Sequence, residues 1–149
     1  MKTPTPLQVK SCGVILFRDK PVKSFLLMQH AQRLDLPKGH MEARETELEC
    51  AFREMEEETG INANRVEIDS VFRFETSYIY HRRDGQPVHK TVIIFLGWLQ
   101  EDLEISPSEH IGYQWYTWNP PHQLQTGTID PLLSALERHF KRQQSGKLA

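Results

Sequence analysis

The chain has 149 residues, enough to bury a core without disulfides or a structural metal and short enough for one domain. Hydrophobic residues make up 38% and charged residues 26%, which excludes a disordered chain. The formal net charge of −2 argues against a nucleic-acid binder with a broad basic surface, though not against one small polyphosphate in a local pocket. No apolar run reaches the roughly 18 residues of a membrane helix, and MKTPTPLQVK lacks the apolar stretch of a signal peptide. Cys12 and Cys50 have no metal-ligand spacing and read as small core residues, which suits a reducing compartment. The expectation is a soluble cytoplasmic protein with no membrane partner.

The first elements are SCGVILF (11–17) and SFLLMQH (24–30), β-rich runs separated by RDKPVK, and they read as a hairpin or as two sheet neighbours. From Thr46 the period changes: Leu48, Ala51, Phe52, Met55 and Thr59 fall on one face of a helix over 46–59. Thr46 and Glu49 fit a capping box, and Gly60 suits the left-handed residue that ends a helix. Two long β-patterned runs follow, 66–80 and 89–99, joined through the turn pair Asp84-Gly85, and a third covers 111–118. Asp130 as cap and Pro131 as first helical residue open a last helix whose Leu132, Leu133, Leu136 and Phe140 share a face. The order favours an α/β (α+β) fold, a mixed sheet clasped by helices, over a strict βαβ repeat. One domain spans 1–149, with 1–6 and 143–149 expected to be loose.

The 46–59 helix raises a question, because REMEEETG crowds four glutamates into five positions. Glu54, Glu57 and Glu58 are three and four residues apart and share one edge, where like charges repel by roughly 0.2–0.5 kcal/mol per pair. A charged, solvated helix face is one explanation. A hard divalent cation such as Mg²⁺ or Mn²⁺, which takes carboxylate, water and phosphate oxygens, is the other.

The surroundings favour the cation. From Gly39 the chain reads G-x5-E-x7-R-E-U-x-E-E-x-G-U, with U apolar, filled by Gly39, Glu45, Arg53, Glu54, Met55, Glu57, Glu58, Gly60 and Ile61. Average residue frequencies put a chance match below about 1 in 10⁵. The stretch resembles the Nudix box in every constrained position.

That resemblance implies an α/β/α sandwich with a central mixed sheet and a hydrolase of nucleoside diphosphates linked to a further group, working with Mg²⁺ or Mn²⁺. By the same resemblance Glu54, Glu57, Glu58 and the Gly39 carbonyl are metal ligands, Arg53 orients Glu54, and Glu45 pairs with Arg53. The general base is Glu54 or, from a later loop, Glu109, which would also reach the metal.

Beyond the box, LPKGH (36–40), KTV (90–92) and SEHIGYQW (108–115) are similar to the asymmetric diadenosine tetraphosphate hydrolases of that family. This likeness implies that Lys90 contacts the polyphosphate and that Tyr78 stacks on adenine. Tyr80 shares a strand face with Tyr78 and could stack too. Lys38 and His40, flanking Gly39, are candidates for phosphate contact. Departures are the missing Trp before Pro-Lys-Gly, where the chain reads RLDLPKGH, and Ala43-Arg44-Glu45 in place of the usual Pro-Gly-Glu turn.

The expected activity is asymmetric cleavage of diadenosine tetraphosphate to ATP and AMP. The alternatives are an RNA 5′-pyrophosphohydrolase, a general (deoxy)nucleoside-polyphosphate pyrophosphohydrolase, or a silent nucleotide-sensing module. The partner is a small nucleotide, with no DNA; an RNA 5′ end is disfavoured by the charge. Similar enzymes point to a monomer.

Overall fold

A computed structural model describes residues 4–108 and 112–148. The strands are β1 (Leu7–Arg18), β2 (Ser24–His30), β3 (Arg33–Asp35), β4 (Lys38–His40), β5 (Val66–His81), β6 (Pro87–Leu99) and β7 (Gly112–Thr117). Helix α1 (Glu47–Thr59) lies between β4 and β5, and α2 (Ile129–Leu148) closes the chain.

One mixed sheet of seven strands runs β3-β2-β1-β6-β5, with β4 pairing β1 and β7 pairing β2. β1 and β6 lie parallel from Leu7↔Val88 to Phe17↔Trp98, and the remaining pairs are antiparallel. β1 is therefore central and buried on both faces, which is why its sequence is a continuous apolar run instead of an alternating one.

Period-2 alternation divides that run between two cores. Ile15 and Phe17 pack with Leu132, Leu133, Leu136 and Phe140 of α2. Cys12, Val14 and Leu16 pack with Cys50, Ala51 and Met55 of α1. Each fully buried large apolar side chain contributes roughly 1.5–3 kcal/mol, so each helix is fixed on its own face of the sheet. The result is the expected α/β/α sandwich.

Of the two readings of the first runs, hairpin or sheet neighbours, β1 and β2 form the hairpin, yet it pairs only at Phe17↔Phe25 and Arg18↔Ser24. The N-terminal half of β1 takes β4 instead, through Ser11↔His40, Cys12↔Gly39 and Gly13↔Lys38. This exchange of partners brings Gly39 into the sheet directly beside the helix-facing part of β1.

The start of the last helix differs from expectation. α2 begins at Ile129, and the Leu132 amide donates to the Thr128 carbonyl at 3.1 Å. Asp130 is not its cap: its Oδ1 accepts from the Leu124 and Gln125 amides at 2.8 and 3.0 Å, tying down the preceding loop. The helix also runs on to Leu148, through the segment from 143 that the sequence suggests is loose.

Candidate active site

The site is built on α1, whose ends are fixed locally. Thr46 accepts from the Glu49 amide at 3.1 Å and Glu49 accepts from the Thr46 amide at 2.9 Å, the reciprocal capping box that the sequence implies. At the other end Gly60 takes φ 76° and its amide donates to the Glu56 carbonyl. Cys50, Ala51, Met55 and Thr59 are buried, and this stripe fixes the rotation of the helix. Its carboxylate edge consequently faces β4. Gly39 lies directly under that edge, and a Cβ there would overlap the Glu54 carboxylate, so a larger residue would displace that carboxylate from its place on Arg53.

Arg53 organises the neighbourhood. Its Nε and Nη2 donate to the two Glu45 oxygens at 2.6 and 3.0 Å, a bidentate fork. Nη2 also donates to the His40 carbonyl at 3.0 Å, and Nη1 donates to Glu54 Oε1 at 2.9 Å and to Glu57 Oε1 at 3.4 Å. One planar guanidinium thus fastens the 40–45 loop, the helix and the Glu54 carboxylate together. These hydrogen bonds hold the Glu45 carboxyl down at about 2 and raise the Arg53 value. Arg53 and Glu45 therefore meet as expected, and neither is left with a free proton to move.

The other two carboxylates differ in environment. Glu57 lies on the rim, more than half exposed. Glu58 is half-buried, with Oε2 accepting from the Lys38 amide at 3.3 Å. Burial pushes its carboxyl up to about 7, helped by the negative charges of Glu54 and Asp35. Among the described residues no three ligand-type side chains close on a common point, so the glutamates are brought to one edge and not into a finished cage. The side-chain donors along that edge are all oxygens, the Glu54, Glu57 and Glu58 carboxylates, while the nearby Gly39 carbonyl accepts from the Cys50 thiol at 3.4 Å. A glycine cradle, hard donors and negative charge that raises a neighbouring carboxyl fit a divalent cation that keeps waters and shares substrate phosphate.

A cleft of about 450 Å³ opens beside this edge, lined among others by Arg33, Asp35, Lys38, Tyr78, Val92 and Thr128. Lys38 joins the two places, since its amide meets Glu58 while its ammonium lies 3.2 Å from Asp35 in the cleft. Tyr78 lines a wall, and its register partner across β5 and β6 is Lys90, so both side chains share one face. Burial lowers the Lys90 value, and the charges of Lys38 and Arg33 lower it further. Tyr80 packs on Tyr78 with ring centroids 6.2 Å apart but does not line the cleft. His40 is exposed, and its known tie to the site is its backbone carbonyl on Arg53. Glu109 lies outside the described residues.

Sequence reasoning missed Arg33, Asp35, Thr76 and the 125–129 loop. Asp35 had a signal, an acid three residues before the lysine of LPKGH. The loop had none: Gln125 clamps the Leu34 backbone through two 2.8 Å hydrogen bonds made across most of the chain.

Comparison with known proteins agrees with this geometry. The profile described as the NUDIX domain matches residues 7–140. The asymmetrical bis(5′-nucleosyl)-tetraphosphatase of Rattus norvegicus is 36% identical over 130 residues, covering 79% of this chain and 85% of that protein. Its Sus scrofa counterpart is 35% identical over the same length, with the same coverage. Among solved structures, a C. elegans Ap4A hydrolase binary complex superposes with a TM-score of 0.74 at 26% identity, covering 93% of this chain and 98% of that one.

Proposed function

The chain belongs to the NUDIX domain family, and from that premise we propose that this hydrolase cuts diadenosine tetraphosphate asymmetrically, into ATP and AMP. The observation that carries the reading is the junction at Lys38, whose amide meets the carboxylate edge and whose ammonium lines the Tyr78 cleft. A polyphosphate with a nucleoside in the cleft would pass over this residue to reach the glutamates.

Glu54, Glu57, Glu58 and the Gly39 carbonyl would hold Mg²⁺ or Mn²⁺, with Glu109 as a further ligand. When bound, such an ion polarises a phosphoryl oxygen and eases ionisation of a water. The chain's own residues do the rest. Arg53 fixes the Glu54 carboxylate, and Glu45 fixes Arg53, so that Glu54 is aimed to take a proton from the attacking water. Glu109 is the other candidate for that base. Lys38 and Lys90 neutralise phosphate charge, His40 contacts phosphate, and Tyr78, backed by Tyr80, presents a ring face to adenine. We place the enzyme in the cytoplasm as a monomer; no helix among the described residues is long and apolar enough to cross a membrane.

The test compares kcat/KM for diadenosine tetraphosphate, single nucleoside triphosphates and a 5′-triphosphorylated RNA, each with Mg²⁺. A preference for the dinucleotide of about tenfold or more is expected, roughly 1.4 kcal/mol of added transition-state binding from the second nucleoside. A preference for the RNA would move the substrate to the alternative while keeping the hydrolase.

A further inference from the structure

Asp35 presents a physical problem. It stands in the substrate cleft, its side chain only 15% exposed, where a negative charge opposes any polyphosphate that enters. Its field reaches both ends of the site, adding to the raised Glu58 value and offsetting the lowered Lys90 value. Yet the carboxylate is firmly held. Oδ1 accepts from the Leu36 amide at 2.8 Å and lies 3.2 Å from Lys38 Nζ, while Oδ2 lies 3.7 Å from Arg33 Nη2 and 3.8 Å from His30 Nε2.

Three basic groups from β2, β3 and β4 therefore converge on one acid. The Lys38 side chain is itself only 14% exposed, and its ammonium is held by the Asp35 carboxylate. An unconstrained lysine has four rotatable bonds and is a poor aim for a reacting phosphate. Resting on the proposal that the substrate is a nucleoside polyphosphate, we infer that Asp35 is a positioning residue that acts through Lys38, holding its ammonium between the carboxylate edge and the Tyr78 cleft.

Two opposed effects follow, and they separate in the kinetics. Removing the negative charge favours ground-state binding of a polyanion, whereas releasing Lys38 removes its alignment on the reacting phosphate. Asp35→Asn retains an oxygen for the Leu36 amide, so the turn before Pro37 is preserved. In this variant KM is expected to fall about three- to tenfold, from weaker repulsion in the cleft, and kcat about five- to fiftyfold, from lost alignment.

The deciding experiment is a double-mutant cycle of Asp35→Asn with Lys38→Gln, reading kcat and KM on diadenosine tetraphosphate together with thermal unfolding of each variant. If Asp35 acts through Lys38, Asp35→Asn lowers kcat in the wild-type background and has no further effect on kcat once Lys38 is glutamine. Equal losses of kcat in both backgrounds overturn the proposal, as does a loss of kcat that parallels a loss of folded protein. If the wild-type protein prefers another nucleoside polyphosphate, the substrate reading fails, but the cycle run on that preferred substrate still decides the role of Asp35.

Discussion

Arg44 carries the plainest strain near the site. It takes φ 70°, in the left-handed region, at the middle of the turn Ala43-Arg44-Glu45. A non-glycine residue there costs roughly 1–2 kcal/mol, offset in part by the roughly 0.5–1 kcal/mol of extra chain entropy that a glycine loses on folding. Arg44→Gly should therefore gain about 0.5–1 kcal/mol in denaturant unfolding, with little change in turnover because the Arg53 to Glu45 fork is untouched. A loss of stability would show that the exposed Arg44 side chain contributes more than its backbone costs.

Glu58 shows the opposite relation between stability and function. Its carboxyl, pushed up to about 7 by burial and by Glu54 and Asp35, binds its proton more tightly in the folded protein than in the unfolded chain. Ionising it therefore destabilises the fold: the penalty is absent below an unfolded value near 4.5, grows as pH rises and is complete above about 7. Screened by its partial exposure, it amounts to about 1–2 kcal/mol. In chelator-treated protein, Glu58→Gln should be more stable than wild type at pH 8 and equal to it at pH 4.5. Equal stability at both would remove the electrostatic account of this site.

At the scale of elements, α1 is held by devices that act within a few residues. Thr46→Ala removes one half of the capping box and should cost about 1 kcal/mol, lowering Tm by about 2–4 °C in a chain of this size while KM is unchanged. A large effect on KM would mean that the cap tunes the loop beneath the helix and not merely its stability.

The same locality explains what could be read in advance. The helix, its cap, its terminator and the Arg53, Glu54, Glu57 and Glu58 edge all lie within 46–60, where periodicity and spacing are visible in the sequence. β3 and β4 have three residues each and carry no period to detect, so the strand that delivers Gly39 was legible only through the box motif. Asp130 has the signature of a helix cap, but the amides of Leu124 and Gln125, six and five residues before it in an irregular loop with no period to read, claimed its carboxylate. The cleft was the least legible part. Its walls come from residues 33–35, 38, 76–78, 92 and 125–129, and nothing local to any one of these announces the others.

For the molecule as a whole, the sandwich acts as a frame that sets two unlike surfaces side by side. One face of the sheet carries α1 and its carboxylates; the other carries α2, the 125–129 loop and the cleft. β4 and β3 run between them, with Gly39 and Lys38 at the crossing. The basic Arg33, Lys38 and Lys90 stand close to the acidic edge, so charges of both signs are set side by side. Such an arrangement suits a polyanion whose charge would be met by basic side chains at one end and, at the other, by a divalent cation that the carboxylates would hold.

On the proposed reading the polyphosphate reaches the carboxylate edge while one nucleoside occupies the cleft, and the proposed cut is asymmetric. Chromatography of the products after incubating purified protein with diadenosine tetraphosphate and Mg²⁺ tests that directly. The account predicts equal amounts of ATP and AMP, abolished by chelator and reduced to a small residue by Glu57→Gln in protein that remains folded. ADP as the sole product, or full turnover by the Glu57→Gln variant, would contradict it.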